Sequence, residues 1–195
     1  MAGTLNLADY PIKSFEIISD QPSVVSVSQS GVHYSRNVGA HLWKLKIETD
    51  MMARLQYQAL WAFLISQNGR LENFEVTLPV HGQSLGTVTG TVTVSSWTDD
   101  NTVILTNVGG GSTLKAGDMF QFADHTKVYM CTADTSESGG DMTVNLMPSA
   151  RTQSVTGTLL DFTPSFTVVL DDSEISIKRD TYTSSLKITC MEALT

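Results

Sequence analysis

The chain is poor in the residues that most site chemistry needs. It holds only two cysteines, Cys131 and Cys190, and neither has a second cysteine or a histidine at ligand spacing, so no zinc pattern is present. They fall in different predicted elements and are expected to be two separate buried thiols, because free cysteine behaves as a small apolar side chain. Among His33, His41, His81 and His125 no two stand four apart, and neither a His-Glu-x-x-His nor a Gly-x-Ser-x-Gly motif occurs. Basic residues are scarce, 12 against 20 acidic ones, for a formal net charge of −8. That excludes general binding to a nucleic-acid backbone, which needs clustered Lys and Arg. The longest unbroken apolar run, 59–65, is far too short to span a membrane. The start has no basic segment followed by an apolar core, so no signal peptide is expected. Internal repeats and low-complexity tracts are absent as well.

What remains is mostly β-forming sequence, with a hydrophobic fraction of 41% to build a core. A single helix signal stands out, over 50–68. Asp50 is expected to cap its start and Gly69 to end it in the left-handed conformation. Met52, Leu55, Ala59, Leu60 and Phe63 recur at steps of three and four, with Arg54, Gln56 and Gln58 opposite. The second half, 59–65, is apolar all round and should be covered on more than one side. Trp61, Leu64 and Ile65 are therefore candidates for a subunit interface, as well as for the chain's own core.

Strand signals flank this helix. Trp43, Leu45 and Ile47 alternate with Lys44, Lys46 and Glu48 before it; Phe74, Val76 and Leu78 alternate with Asn73, Glu75 and Thr77 after it, ending at Pro79. Earlier, Phe15 and Ile17 begin one possible strand and Val25 and Val27 another, with a turn at Ser30-Gly31. Near the end, Phe166, Val168 and Leu170 form one alternation, Ile175 and Ile177 a second, and Leu186, Ile188 and Cys190 a third, with a turn at Asp171-Asp172.

Past Pro79 the composition shifts. Between Val80 and Ala150 the only basic residues are Lys115 and Lys127, against seven acids. About five short strands are expected there, near 88–95, 102–107, 118–123, 127–133 and 141–146, with turn-rich separators. Five short strands without a helix suggest a small closed or partly closed barrel. The predicted organisation is thus a discontinuous domain, 1–80 and 151–195, in which one helix lies against a sheet. A module at 81–150 is inserted into it.

Several stretches imitate known sites. Gly109-Gly-Gly-Ser112 lacks the Gly-Lys-Ser/Thr ending of a phosphate loop and reads as a hairpin turn. Ser112 and Lys115 have acyl-enzyme spacing, but glycines flank them where a helix would be needed. Asp134, Ser136, Ser138, Gly139 and Asp141 resemble a calcium loop, yet its last position is Asn145 instead of glutamate, and a solvated loop is the plainer reading. Phe120 and Phe122 stand at strand alternation and read as core. Trp97, between Ser96 and Thr98, is the module's candidate for contact with a sugar or a partner.

The order of parts resembles a known family. The carriers are Leu42-Trp43, the helix 50–68, Gly69-Arg70 leading to Asn73-Phe-Glu-Val-Thr-Leu-Pro79, and Lys115-Ala-Gly-Asp-Met-Phe120 followed by His125-Thr-Lys-Val-Tyr129. This arrangement is similar to the distal tail proteins of long-tailed siphophages, in the short form with a small inserted barrel. The resemblance covers nearly the whole chain in architecture. It implies a first domain of tail-tube type, a β-sandwich with a flanking helix, and an inserted five-stranded barrel of oligonucleotide/oligosaccharide-binding (OB) type. It implies a virion structural protein, made in the host cytoplasm, that forms a homo-hexameric ring joining the tail tube protein to the tail-tip or hub protein. The module would lie outside the ring, with host polysaccharide as a possible contact. The family brings no catalytic, cofactor or metal residues, so no enzymatic activity, nucleic-acid binding or membrane insertion is expected.

Overall fold

The computed structural model describes residues 3–37, 41–78, 84–150, 152–172, 177–179 and 183–194. Pro79, His81 and Ile175 lie outside the described residues. In chain order the strands are β1 (Thr4–Asn6), β2 (Ile12–Asp20), β3 (Ser23–Val27), β4 (His33–Asn37), β5 (Leu42–Thr49) and β6 (Met52–Ala53). The helix α1 (Arg54–Ser66) and β7 (Phe74–Thr77) follow. Then come β8 (Thr93–Asp99), β9 (Thr102–Thr106), β10 (Thr113–Leu114), β11 (Met119–Phe122), β12 (Val128–Cys131), β13 (Thr135–Ser136), β14 (Met142–Met147) and β15 (Leu160–Asp161). The last are β16 (Ser165–Leu170), β17 (Ile177–Arg179) and β18 (Thr183–Glu192). The fold is mainly β with a single α-helix among the described residues, as the sequence predicts. Contacts divide it into two compact units, one of Tyr10–Asn73 with Val168–Glu192, the other of Ala2–Asp9, Phe74–Thr167 and Ala193–Thr195.

In the first unit, β5 is the central strand. It pairs antiparallel with β2, Phe15 opposite Ile47, and with β18, Ile188 opposite Ile47. The strict alternation of β5 buries Trp43, Leu45, Ile47 and Thr49, and its partner β18 adds Leu186, Ile188 and Cys190 to the same core. On the other face Lys13, Lys44, Lys46 and Lys187 pair with Glu48, Asp20 and Glu16, so cross-strand charges neutralise one another. Lys13 foremost among its neighbours holds the Glu48 carboxyl below its usual range.

The helix lies against β18 and β6, and it starts later than its sequence suggests. Met52 and Ala53 pair with Ser184 and Thr183 of β18, which holds them extended, with Ala53 at φ −64° and ψ 155°. Asp50 is therefore no N-cap; its carboxylate accepts from the neighbouring Met51 amide instead. The register of the buried face moves with the start. Tyr57, Leu60 and Leu64 face the core, whereas Leu55 and Ala59 are exposed, although the periodicity placed them inside. The helix stops as expected, with Asn68 and Gly69 both left-handed at φ 52° and 66°. Among the described residues its second half is covered on one side only, leaving Ala59, Ala62 and Ile65 exposed.

Strands β3 and β4 form a separate two-stranded ribbon around the Gly31 turn. Every residue of β3 is exposed.

The second unit contains the parallel pair β1–β7 and a six-stranded sheet in the order β15-β11-β12-β14-β9-β8. The two ends of that sheet meet in one segment. Leu160 pairs with Phe122 of β11, while Leu159 bridges to Thr93 of β8 and the Leu160 amide bonds the Val92 carbonyl. The sheet is thereby closed around Phe120, Phe122, Tyr129, Leu105, Val144 and Leu146, all buried. The first strand of this barrel is Thr93–Asp99, five residues beyond the expected start at 88. The closing strand β15 lies past residue 150, outside the span 81–150 expected for the module.

Candidate functional site

The strongest local motif of the module, Lys115-Ala-Gly-Asp-Met-Phe120, makes a structural clamp. Asp118 is buried at the start of β11, and its carboxylate accepts from three backbone amides. Oδ1 takes the Leu85 amide at 2.7 Å; Oδ2 takes Gly86 at 2.9 Å and Lys115 at 2.8 Å. A buried carboxylate is stable only when satisfied in this way. The clamp ties the chain entering the module to the turn before β11. Gly86 is required there, because a β-carbon would stand 2.2 Å from the Thr113 carbonyl oxygen. The turn is tied from outside by Asp134, which accepts from Lys115 Nζ at 2.8 Å and from the Ala116 amide at 3.0 Å. Lys115 and the amide lower the Asp134 carboxyl, and Asp134 raises the Lys115 amine.

The imitations of active sites resolve into turns. Ser112 Oγ donates to the Gly109 carbonyl at 2.6 Å and accepts from the Thr89 amide at 3.0 Å, so it serves the glycine loop. Glu137 accepts from Gly111 and Gly140, joining two loops. Asp134 is engaged by Lys115 and the Ala116 amide, so two of the acids in the calcium-like stretch, Asp134 and Glu137, are spent on amides and an ammonium. No group of three or more His, Cys, Asp and Glu suited to a metal exists among the described residues.

Trp97 is half-buried on β8. Its indole N–H donates to the Ser154 carbonyl at 3.0 Å and its ring packs on Phe122, centroids 5.5 Å apart. Ser154 Oγ in turn donates to Asp124 Oδ1 at 2.9 Å, with His125 Nε2 4.0 Å from that oxygen. The order Ser–Asp–His leaves the serine without a base, since the carboxylate sits between it and the imidazole, so no nucleophile is activated. Sequence pattern singles out Trp97 but not its partners Phe122 and Ser154, which lie 25 and 57 residues away.

The interface candidates on α1 separate. Leu64 is fully buried in the chain's own core, Trp61 is half-buried, and Ile65 is exposed. Cys131 and Cys190 are both free and buried, as expected, and burial pushes the Cys190 thiol up to about 12. No helix among the described residues is long and apolar enough to cross a membrane.

Residues 82–158 match the family model described as distal tail protein pb9, B domain. No curated protein matches the chain. The matched stretch covers the Asp118 clamp, Trp97 and all but the closing strand of the barrel. The match and the order of parts agree: this stretch is similar to a domain of a phage distal tail protein, which supports a structural component of a phage tail.

Proposed function

We propose that this protein is the ring-forming adaptor at the distal end of a phage tail, where the tail tube meets the tail tip. The observation that carries this reading is the match of the inserted module to a distal tail protein domain. Copies of the chain close a homo-hexameric ring through the first, tail-tube-like domain. One ring face binds the tail tube protein and the other the tail-tip or hub protein. The OB-like barrel is a module inserted into that domain in sequence. The mechanism is assembly, with no catalytic step; side surfaces that fit one another close the ring. Sedimentation of the purified protein over a wide concentration range tests this. A species of ring mass is the expected result, and a chain that stays monomeric at high concentration, with and without tail tubes, contradicts it.

The alternative is a glycan contact through Trp97. The commitment of its N–H to Ser154 and of its ring to Phe122 favours a packing role for that side chain instead. Host-polysaccharide binding by the full chain that is lost on Trp97→Phe would reverse the preference.

A further inference from the structure

The barrel's seam is filled by a stretch that is bonded on both sides and buried almost nowhere. Of residues 153–159 only Ser154 is buried, and Val155 and Leu159 are 71% and 47% exposed. The flanks differ. Ala150 before it is buried, with its amide on the Asp100 carbonyl, and Leu160 and Phe162 after it pack on the barrel core. Between these anchors polar bonds hold the stretch. On the β8 side the Gly157 amide donates to the Val94 carbonyl at 2.8 Å, and the Val94 amide to the Thr158 carbonyl at 2.9 Å. Thr156 Oγ1 donates to the Ser95 carbonyl at 3.0 Å, and the Trp97 indole N–H to Ser154. On the β11 side the Ala123 amide donates to the Leu159 carbonyl at 2.9 Å. Asp124, the next residue, accepts from Ser154 Oγ at 2.9 Å, and Thr158 Oγ1 stands 3.5 Å from its other oxygen.

We infer that 153–159 is a strap that opens as a unit while the barrel behind it stays folded, and that Asp124 is its latch. A hydrogen bond lost to water is largely replaced there, so each of these bonds contributes little net stability. Opening the strap also exposes hardly any apolar surface, which marks a segment at the low end of local stability. The neighbouring strand β14 is the contrast: it buries Met142, Val144 and Leu146 and cannot leave the barrel at small cost. Gly157, left-handed at φ 91°, supplies a bend within the strap that other residues rarely adopt. The latch is the strongest of the side-chain contacts, because its acceptor is a carboxylate. Closed, the strap fills the seam between β8 and β11 and occupies the Trp97 N–H. Open, it frees that N–H and the main-chain groups of Val94 and Ala123. The strap thereby decides when the seam can meet an outside group.

Native-state hydrogen exchange of the full chain tests this. The Val94, Gly157 and Ala123 amides report on the strap; the Leu146 and Cys131 amides, which donate to the Asn101 and Asp118 carbonyls, report on the barrel. After correction for intrinsic rates, the strap amides are expected to exchange at least about tenfold faster than the barrel amides. Their rates should stay flat in low urea, because opening the strap exposes little surface, whereas the barrel rates should rise. Val144→Ala should speed the barrel amides and leave the strap amides unchanged, since Val144 stays packed when the strap is open. Asp124→Ala removes the latch at an exposed position and should speed the strap amides about tenfold. Strap and barrel amides that share one urea dependence and one response to Val144→Ala show a strap that opens only with the barrel, and overturn the inference. Strap amides indifferent to Asp124→Ala overturn the latch.

Discussion

Asp118 Oδ2 accepts from the Gly86 amide at 2.9 Å, and a β-carbon on Gly86 would fall 2.7 Å from that same oxygen. The glycine and the carboxylate thus need each other: the amide satisfies the buried charge, and the missing side chain lets it come close. Gly86→Ala is expected to destabilise the module by roughly 1–3 kcal/mol through overpacking against backbone. Asp118→Asn keeps the shape but removes the charge and one acceptor, and should cost roughly 2–4 kcal/mol. Urea unfolding of the full chain, followed through the module's aromatic residues, measures both. Wild-type midpoints would show that the clamp is dispensable.

Trp97 should behave as a packing residue. Trp97→Phe loses one hydrogen bond to Ser154 and should cost about 0.5–1.5 kcal/mol. Trp97→Ala also gives up contact with Phe122 and should cost about 2–4 kcal/mol. Thermal unfolding reads the difference. Equal stability of all three proteins would free the indole for an external role.

The helix separates folding from assembly. Leu64→Ala opens a void in the core and should cost about 2–5 kcal/mol in denaturant unfolding. Ile65→Asp, on the exposed side, should change folding stability by no more than about 0.5 kcal/mol yet impair self-association. Should Ile65→Asp unfold the monomer as badly as Leu64→Ala does, the helix has no free face.

Cys190 predicts an alkaline instability. Its folded pKa, about 12, lies above that of an unfolded thiol, near 8.5. A raised thiol pKa means the fold favours the neutral form, so its contribution is complete below about pH 8.5 and declines as pH rises towards 12. Denaturation at pH 7 and pH 10 should show the loss, and Cys190→Ala should reduce the dependence. In the native protein at neutral pH, neither thiol should react with a disulfide reagent; both should do so after unfolding.

Much of the fold was legible where the signal is local. The alternation of β5, the left-handed stop at Gly69 and the inward Phe120 and Phe122 follow from period and side-chain type alone. The failures share a cause in long-range pairing. Met52-Ala53 look like the first helical turn until β18, some 130 residues later, holds them extended. Strand β15 is two residues long and gains its meaning only from β11 and the β8 end of the sheet. Glu192, a buried carboxylate in the last strand, accepts from the Trp43 amide 149 residues away, a bond no local pattern announces. The same holds for the site: Asp118 was visible as part of a turn motif, but its grip on Leu85 and Gly86 spans more than 30 residues.

The proposed function places an adaptor ring at the junction of tube and tip. Electron cryomicroscopy of intact phage tails tests it most directly. Density for a closed ring at that junction, into which copies of this chain fit, is the expected result. Finding the chain elsewhere in the tail, or present there as a single copy, contradicts it.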